Sequence, residues 1–368
     1  MKICHITTVH PDGDVRIFHK MCFSLATSND FQVSCIVPNC ESRVESGVNI
    51  ISFSLSAQNR SSRIRLASKK ALGLAIKQDA DIYHLHDPEL LTIALKLKKK
   101  TGARVIFDSH EDVPKQLIDK IWIPIYQRVL ISKLYAIYER YVCSRLDGVI
   151  SVTPLICNRF RKFQPNVEMI ANYPDLLELN ILEKNKFSRT ICYVGGIFRT
   201  RGIIELVNAI DKIDVRLLLA GTFESDELKD TVMNLPGWKN VQFFGQVSRT
   251  EIASILNQSE IGIVTLHPTQ SYVEAYPIKM FEYMASGTAV LASDFPLWRE
   301  IILQANCGKC VDPMDVSAIR ASLIEMLENS TVTRNQGKNG LLAAKNIYNW
   351  EKEFIKLKAF YSGFAQLR

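Results

Sequence analysis

The sequence predicts an α/β protein built from two parallel-sheet halves, and three observations support this. Short apolar runs rich in β-branched residues alternate with segments of helical periodicity along nearly the whole chain, an alternation typical of parallel, doubly wound sheets. The alternation pauses once, near residues 172–188, and then restarts. With 368 residues, the chain also exceeds the roughly 250–300 residues at which a single hydrophobic core stops growing. Two domains are therefore expected.

The first predicted domain covers residues 1–172. Its buried strands are expected at Lys2–Thr7, Gln32–Val37, Ile82–His86, Val105–Asp108 and Gly148–Val152. Ligands of open parallel sheets bind beyond the carboxyl ends of the strands. The polar residues that directly follow these runs are therefore the candidates for a functional site.

The second predicted domain covers residues 173–347, and the tail 348–368 reads as a closing helix. Its strands are expected at Ile191–Gly195, Arg216–Gly221, Val241–Phe244, Ile261–Leu266, Ala289–Ala292 and Lys309–Val311. Since each sheet would present its strand ends to a ligand, the cleft between the domains is the predicted site.

Bulk composition is that of a packed enzyme, with 47% hydrophobic and 23% charged residues. No run approaches the roughly 18 apolar residues of a membrane span, and the N-terminus lacks the layout of a signal peptide, so we expect a cytoplasmic protein. The nine cysteines lie mostly in apolar runs and are expected to be reduced. Cys307 and Cys310 have no second Cys or His pair that would complete a zinc site.

The segment from Glu274 to Gly287 carries the most informative pattern. Pro277 is suited to the start of a helix, which places Glu274 in the preceding loop and Glu282 in the second helical turn. Carboxylates accept hydrogen bonds from sugar hydroxyls, and a helix N-terminus attracts a diphosphate. Lys279, in the first turn, opposes the helix dipole unless an anionic ligand lies beside it.

A second cluster of cations follows the predicted strand Ile191–Gly195. Gly195 ends this strand, and Arg199 and Arg201 lie in the loop after it. Two arginines in such a loop suit phosphate recognition. A solvated turn that binds nothing is the alternative interpretation.

These residues resemble the GT-B glycosyltransferases of the retaining type called family 4 (glycosyl transferases group 1), whose signature is E-x7-E followed by an alanine-serine-glycine turn. Glu274 and Glu282 are separated by seven residues, and Ala285-Ser286-Gly287 completes the pattern. The resemblance implies two facing Rossmann-like domains, with the C-terminal helix 348–368 packing back onto the first. It also implies transfer of a sugar from a nucleoside-diphosphate sugar to a hydroxyl of a glycan or lipid-linked acceptor, with retention and no obligatory metal or other cofactor.

The resemblance also assigns roles within the second domain. Glu274 would contact the donor sugar, Glu282 the ribose, and the loop containing Val247 would lie near the nucleotide base. The family places an arginine directly after Gly195, where this chain has Gly196. Arg199, Arg201 or Lys279 would then have to supply the missing positive charge.

Histidines and acids converge on two strand ends of the first domain. His84, His86 and Asp87 end one predicted strand, and His110 follows another. A histidine at a strand exit can act as a general base or orient a hydroxyl or phosphate. His110 resembles the family histidine beside the reacting centre of the donor, and His86 is a candidate for the acceptor side.

The loop after the first strand is the other candidate acceptor or phosphate site. It contains Gly13, Asp14 and Arg16, at the place where the family has a glycine-containing loop. Arg16 is expected either to bind an acceptor phosphate or to pair internally with Asp14.

The segment Ile118–Arg145 shows helical periodicity with aromatic and basic residues interleaved, a composition that suits a membrane interface. The aromatic residues are Trp122, Tyr126, Tyr135, Tyr138 and Tyr141, and the basic ones are Lys120, Arg128, Lys133, Arg140 and Arg145. The stretch Ser46–Gln78 is acid-free and rich in Arg and Lys. Contact with an anionic membrane on its inner face is therefore expected, while a core helix with a solvated face is the alternative.

The sequence leaves two other functions open and disfavours a third. A sugar-nucleotide epimerase of the same architecture would need no acceptor, and a non-catalytic partner would keep only the binding site. A dinucleotide-dependent oxidoreductase is disfavoured, because no G-x-G-x-x-G follows the first strand. Nucleic acid is not expected as a partner, because no nucleic-acid-binding motif accompanies the basic charge.

Overall fold

A computed structural model describes residues 1–56, 59–120, 123–177 and 187–365 of the chain. The chain divides into two compact units. The first contains Met1–Asn172 together with the C-terminal residues from Glu353 onward, and the second contains Tyr173–Lys352. Each unit is an α/β structure built on one sheet, so the predicted fold class is confirmed.

The sheet of the first unit has the strand order β3-β4-β2-β1-β5-β6-β7-β8 among the described residues. Its strands are β1 (Lys2–Ile6), β2 (Gln32–Pro38), β3 (Arg43–Glu45), β4 (Val48–Phe53), β5 (Ile82–Leu85), β6 (Arg104–Ser109), β7 (Gly148–Ser151) and β8 (Val167–Met169). All neighbours pair in parallel except β3, which runs antiparallel to β4 at the edge. The five predicted strands are confirmed, while β3, β4 and β8 were not predicted. β3 and β8 are only three residues long, too short for a pattern of alternation.

Helices of the first unit follow the strands as in βαβ units. They are α1 (Phe23–Thr27), α2 (Arg60–Ile76), α3 (Leu91–Thr101), α4 (Val113–Asp119), α5 (Ile125–Cys143) and α6 (Pro154–Arg161). A π-helical segment, Val15–Cys22, precedes α1. The predicted continuous helix from Ile118 is wrong, because α5 begins only after Pro124, whose ring fixes φ and which has no N–H to donate.

The sheet of the second unit has the order β11-β10-β9-β12-β13-β14, and every pair is parallel. Its strands are β9 (Thr190–Val194), β10 (Arg216–Ala220), β11 (Val241–Gly245), β12 (Ile261–Val264), β13 (Ala289–Ser293) and β14 (Gly308–Val311). All six were predicted to within two residues. The apolar side chains of the central strands β9, β10, β12 and β13 are buried, which gives the continuous apolar runs seen in the sequence. The edge strands β11 and β14 are only partly buried.

Helices of the second unit connect these strands. They are α7 (Ile203–Ala209), α8 (Asp226–Met233), α9 (Arg249–Gln258), α10 (Gln270–Val273), α11 (Ile278–Ala285), α12 (Pro296–Ala305), α13 (Val316–Glu328) and α14 (Ser330–Asn346). Pro277 is the residue before α11. Glu274 therefore lies in the α10–α11 connection and Glu282 in the second turn of α11, as predicted.

The closing helix α15 (Trp350–Ala365) completes the first unit. The Tyr361 hydroxyl lies 2.5 Å from His84 Nδ1, and the Ala171 N–H donates to Glu353 Oε2 at 2.7 Å. Phe360 packs against Gly148 so closely that a Cβ there would lie 2.7 Å from its ring. The predicted return of the C-terminal helix to the first unit is thus observed.

Two further sequence predictions concern the whole chain. The nine cysteines are free thiols, and seven of them are buried. Burial raises the pKa of the Cys310 thiol to about 11, so this half-buried member of the C-x-x-C pair is not activated. Within the described ranges, no helix has both the length and the apolarity to cross a membrane.

Candidate functional site

The cation cluster of the second unit forms where β9 ends. Gly195 has φ +116°, and a Cβ on it would lie 2.8 Å from Lys279 Cε. Only glycine therefore allows both this backbone turn and the approach of the Lys279 side chain from α11. Lys279 Nζ lies 3.9 Å from the centre of the Tyr193 ring, on the strand itself.

Lys279 has a partly exposed stem and a buried ammonium group. Its Nζ makes no hydrogen bond to any described residue. Desolvation holds the pKa of Lys279 well below its usual range, and the positive charge of Arg201 lowers it further. A buried cation of this kind is costly without an anionic partner.

Arg201 closes the short 3-10 turn Arg199–Arg201 on the other side of the cluster. Its Nη1 donates to the Gly196 carbonyl at 3.1 Å, its guanidinium stacks on Phe198, and its buried Nε has no partner among the described residues. Arg199, in contrast, is exposed. The two cations that converge at the strand end are therefore Lys279 and Arg201.

The absence of the family arginine at Gly196 has a local explanation. A Cβ at Gly196 would lie 3.1 Å from the Phe198 ring and 3.2 Å from Arg201 Nη1. These approaches are tighter than ordinary van der Waals contact. A larger residue at Gly196 would therefore compete with Arg201 for the same space, and the replacement of the family arginine's charge by Lys279 stays a prediction.

The two glutamates lie on either side of Lys279 along the chain. Glu274 is half-buried and ends α10, and the connection after it is anchored by the Trp298 indole N–H, which donates to the Ala275 carbonyl at 2.7 Å. Glu282 is only 8% exposed, and its Oε1 accepts from Arg249 Nη1 at 2.9 Å. Nothing in the contacts tests the predicted sugar and ribose roles, which stay predictions.

Arg249 was not singled out from the sequence. It is the first residue of α9, which follows the half-buried candidate Val247 and is capped by Ser248 and Glu251 in a reciprocal capping box. The capping pattern S-x-x-E is visible in the sequence and would have placed Arg249 at a helix start. Its pairing with Glu282 depends on sheet order and was not predictable locally.

In the first unit, histidines from neighbouring strands form a buried cluster. His5 on β1 and His84 on β5 are register partners, and His86 follows β5 directly. His5 Nδ1 and His86 Nε2 are 2.8 Å apart, and the His84 and His86 rings stack at 4.4 Å. His86 and His110 also stack, with ring centres 5.6 Å apart. The predicted convergence of His86 and His110 is observed, and His5 is an addition that the sequence pattern missed.

Asp108 lies at the centre of this cluster. Asp108 is fully buried and pairs with Arg16. Arg16 Nε and Nη2 each donate to its carboxylate at 3.0 Å. Burial opposes the ionisation of Asp108, but Arg16 and then His110 and His86 outweigh it and hold its pKa well below the usual range. Burial lowers the pKa of His110 to about 3, so the imidazole is neutral near pH 7.

Of the two alternatives for Arg16, the internal pair with Asp14 is not formed, because Asp108 holds the buried Arg16 guanidinium; the phosphate alternative stays a prediction. Asp14 caps the π-helical segment by accepting from the N–H groups of Arg16 and Ile17, and it accepts from His10 at 2.9 Å. Burial would raise the pKa of Asp14, but these hydrogen bonds lower it to about 2. Gly13 is exposed beside them, and the acceptor role of this loop stays a prediction.

Helix α5 exposes an unusual amount of apolar surface. Exposed positions include Ile125, Tyr126, Leu130, Leu134, Ile137 and Tyr141. Its only acid, Glu139, is buried and paired with Arg159, whereas Lys133 and Arg140 are exposed. Trp122 lies outside the described residues. In the basic stretch Ser46–Gln78, Arg63 is already paired with Glu89.

Two family models together account for most of the chain. Residues 12–176 match Glycosyltransferase Family 4, and residues 177–342 match Glycosyl transferases group 1. The chain belongs to the GT-B glycosyltransferases. The matched ranges meet at residues 176 and 177, close to the division between the two units of this glycosyltransferase.

Individual proteins similar to this glycosyltransferase agree with the assignment. The phosphatidyl-myo-inositol mannosyltransferase of Mycolicibacterium smegmatis is 25% identical over 268 residues, which span 68% of this chain and 63% of that protein. The fold matches sucrose-phosphate synthase from Thermosynechococcus elongatus with a TM-score of 0.82 at 17% identity, over 100% of both chains. It also matches Anabaena HepE in complex with UDP and glucose, with a TM-score of 0.72 at 13% identity over 99% of this chain and 100% of that one.

Proposed function

We propose that this glycosyltransferase moves a sugar from a nucleoside-diphosphate sugar to a hydroxyl of a glycan or lipid-linked acceptor, with retention of configuration. One observation carries the proposal: Lys279 Nζ and Arg201 Nε are buried at the end of β9 and have no hydrogen-bond acceptor among the described residues. Desolvated cations are stable when an anion pairs with them. A diphosphate supplies that anion, and the crystal structure of Anabaena HepE, which has a similar fold, is a complex with UDP.

The same cations would perform the main chemical task of the reaction. When the bond between the sugar and the diphosphate breaks, negative charge grows on the leaving phosphate. Preformed donors stabilise such charge without reorganisation at the moment of reaction. Lys279, Arg201 and the N–H groups at the start of α11 supply positive charge in this proposal, and no metal ion is required for this step.

The remaining candidates complete the proposed site. Glu274 would accept hydrogen bonds from the donor sugar, and Glu282, oriented by Arg249 at 2.9 Å, would accept them from the ribose. The neutral imidazole of His110 would orient the acceptor hydroxyl or accept its proton. No carboxylate is assigned as a covalent nucleophile.

Replacing Glu274 by glutamine tests the proposal. Glu274→Gln keeps the size of the side chain but removes the charge, so transfer should fall to background while the thermal unfolding curve stays unchanged. Glu328→Gln, at an exposed position on α13, is the matched control and should remain fully active. Near-normal turnover by Glu274→Gln would refute the assignment, and a product with inverted configuration, seen by NMR, would refute retention.

The same assay distinguishes sugar transfer from the alternative activity, epimerisation of the donor. Incubation with nucleotide sugars alone should release nucleoside diphosphate slowly and should produce no isomer of the donor. Formation of an isomer without acceptor would favour epimerisation over transfer.

We further propose that α5 contacts an anionic membrane, which would bring a lipid-linked acceptor of surface polysaccharide synthesis to the enzyme. Its exposed positions Tyr126, Leu130, Leu134, Ile137 and Tyr141 follow helical spacing. An apolar face bordered by lysine and arginine, without an exposed acid, is complementary to anionic headgroups.

Vesicle binding tests the membrane proposal. The protein should sediment with vesicles of phosphatidylglycerol and much less with phosphatidylcholine, and Ile137→Glu should abolish binding. Leu303→Glu, at an equally exposed position on α12, should bind as the wild type does. If Ile137→Glu instead dissociates a dimer in light scattering and leaves sedimentation unchanged, the face is an interface between copies and the proposal is wrong.

A further inference from the structure

Three side chains of the histidine cluster are spaced like ligands of a transition-metal ion. His86 Nδ1 lies 3.4 Å from Asp108 Oδ2, and His110 Nδ1 lies 3.6 Å from Asp108 Oδ1. The ligand atoms of all three residues lie within 4.8 Å of one another. Nitrogen and oxygen ligands about 2.0–2.2 Å from a tetrahedral zinc ion are roughly 3.3–3.6 Å apart. The spacing therefore fits one ion bound by all three.

The nitrogens that would bind the ion have no hydrogen-bond partner among the described residues. His86 Nδ1 and both ring nitrogens of His110 are buried and make no hydrogen bond. Buried polar atoms are normally paired, so these atoms point to a missing partner. His86 and Asp108 are completely buried, while the His110 side chain is 20% exposed and gives a path from solvent.

The neighbours of these residues have the positions that outer-shell groups take at metal sites. The second nitrogen of His86 lies 2.8 Å from His5 Nδ1, which fixes the ring and leaves Nδ1 directed toward Asp108. Arg16 donates to both oxygens of Asp108, and a carboxylate retains further lone pairs for a metal. Metal-binding histidines and carboxylates are commonly held by such hydrogen bonds.

A second group of histidines nearby fits a metal less well. His5, His84 and His86 also lie close together, but His5 Nδ1 and His86 Nε2 are hydrogen-bonded to each other and His84 Nδ1 is bonded to Tyr361. Their other ring nitrogens, His5 Nε2 and His84 Nε2, also have no hydrogen-bond partner among the described residues. The group contains no carboxylate of its own, however, and His84 Nε2 is 3.9 Å from Asp108 Oδ2, farther than the 3.4 and 3.6 Å of His86 and His110.

We propose that His86, Asp108 and His110 form a reversible binding site for Zn²⁺ or a similar divalent transition-metal ion. Two neutral imidazoles and one carboxylate are a common ligand set for zinc, with a fourth position left for water. The positive charge of Arg16 beside Asp108 weakens binding, so the ion is dispensable and exchangeable. If His110 acts in transfer as proposed above, a bound ion withdraws it from the reaction, but binding itself does not depend on that role.

Metal titration of the complete protein tests the site without relying on activity. After treatment with EDTA, the protein should bind one Zn²⁺ per chain in calorimetry and give the visible absorption of tetrahedral Co²⁺ when cobalt is added. His110→Gln and Asp108→Asn should each weaken binding at least about tenfold, as losses at metal sites generally do. His19→Gln, at an exposed histidine of the same unit, should bind as the wild type does.

The variants also separate the possible sites. His110 is partly exposed, so His110→Gln is expected to stay folded, which circular dichroism checks. Unchanged binding by folded His110→Gln would overturn the proposal, as would failure of the wild type to bind zinc at millimolar concentration. Loss of binding in folded His84→Gln, with binding by His110→Gln retained, would assign the ion to the other histidine group and would equally overturn it.

Discussion

Replacing Lys279 by methionine should make the enzyme more stable and a poorer binder of its donor. Methionine has nearly the same length and can keep contact with the Tyr193 ring, which Lys279 Nζ approaches to 3.9 Å. It removes the buried ammonium that has no hydrogen bond among the described residues. Stability and affinity are thus expected to change in opposite directions.

The size of both effects can be estimated from these contacts. A buried polar group without a partner costs about 1–3 kcal/mol. The contact of the cation with the tyrosine ring offsets about 1–2 kcal/mol of that, and the methionine sulfur beside the ring recovers about 0.3–1.5 kcal/mol of the lost contact. The free energy of unfolding should therefore rise by about 1 kcal/mol, or about 2–4 °C in Tm for a unit of this size. Loss of a charge-assisted hydrogen bond to the diphosphate, about 1.5–3 kcal/mol, weakens nucleotide binding roughly 10- to 150-fold.

The stability gain should also depend on pH. Since the folded state lowers the pKa of Lys279, the unfolded state binds more protons between that lowered pKa and the usual value of about 10.4. Wild-type stability therefore rises with pH across this interval, whereas Lys279→Met lacks this contribution. The advantage of the variant should be larger at pH 7 than near pH 10, where only the unpartnered neutral amine remains.

Urea unfolding and calorimetric titration with UDP or GDP provide the two measurements. Lys338→Met, at an exposed position on α14, removes the same charge from the same unit and should change neither quantity by more than about 0.5 kcal/mol. A Lys279→Met protein that is less stable than the wild type and binds nucleotide equally well would refute the reasoning, because Lys279 would then be a structural residue.

Three other predictions each rest on a particular side chain or backbone contact. Nucleotide binding should take up a proton at Lys279, because the diphosphate raises its lowered pKa, and affinity should therefore fall as pH rises. Calorimetry in buffers of different ionisation enthalpy measures this proton uptake, and an uptake of zero would contradict the prediction. Gly202→Ala should lose more than about 1–2 kcal/mol in urea unfolding, since φ is +73° and a Cβ would lie 2.0 Å from the Thr265 carbonyl oxygen; unchanged stability would contradict this. Tyr361→Phe removes the hydrogen bond to His84 at 2.5 Å and should lower the free energy of unfolding by about 1 kcal/mol. Equal urea midpoints for variant and wild type would contradict this.

Strand positions were predictable because a buried parallel strand leaves a nearly uninterrupted apolar run, as β9, β10, β12 and β13 do. The E-x7-E segment was predictable for a similar local reason, since Pro277 marks the helix start between its two glutamates. Short edge strands such as β3 left no such run, because Arg43–Glu45 is mostly exposed and polar.

Pairings between distant residues could not be predicted in this way. Arg16 and Asp108 are 92 positions apart, and Arg249 and Glu282 are 33 positions apart. These contacts follow from which strands are neighbours in the sheet, and local periodicity carries no information on strand order. The sequence could therefore offer only the nearby Asp14 as an internal partner for Arg16, although the Asp14 carboxylate caps the π-helical segment instead.

The return of α15 to the first unit bears on how the protein is made. Proteins emerge from the ribosome N-terminus first, and domains tend to fold as they appear. Here the first unit cannot be finished at that stage, because the helix that covers Gly148 and bonds to His84 is translated only after the whole second unit. A nascent chain stalled before residue 353 would hold a complete second unit and an uncovered first one. Termination just after residue 352 should therefore damage the first unit, although most of that unit is translated before the second.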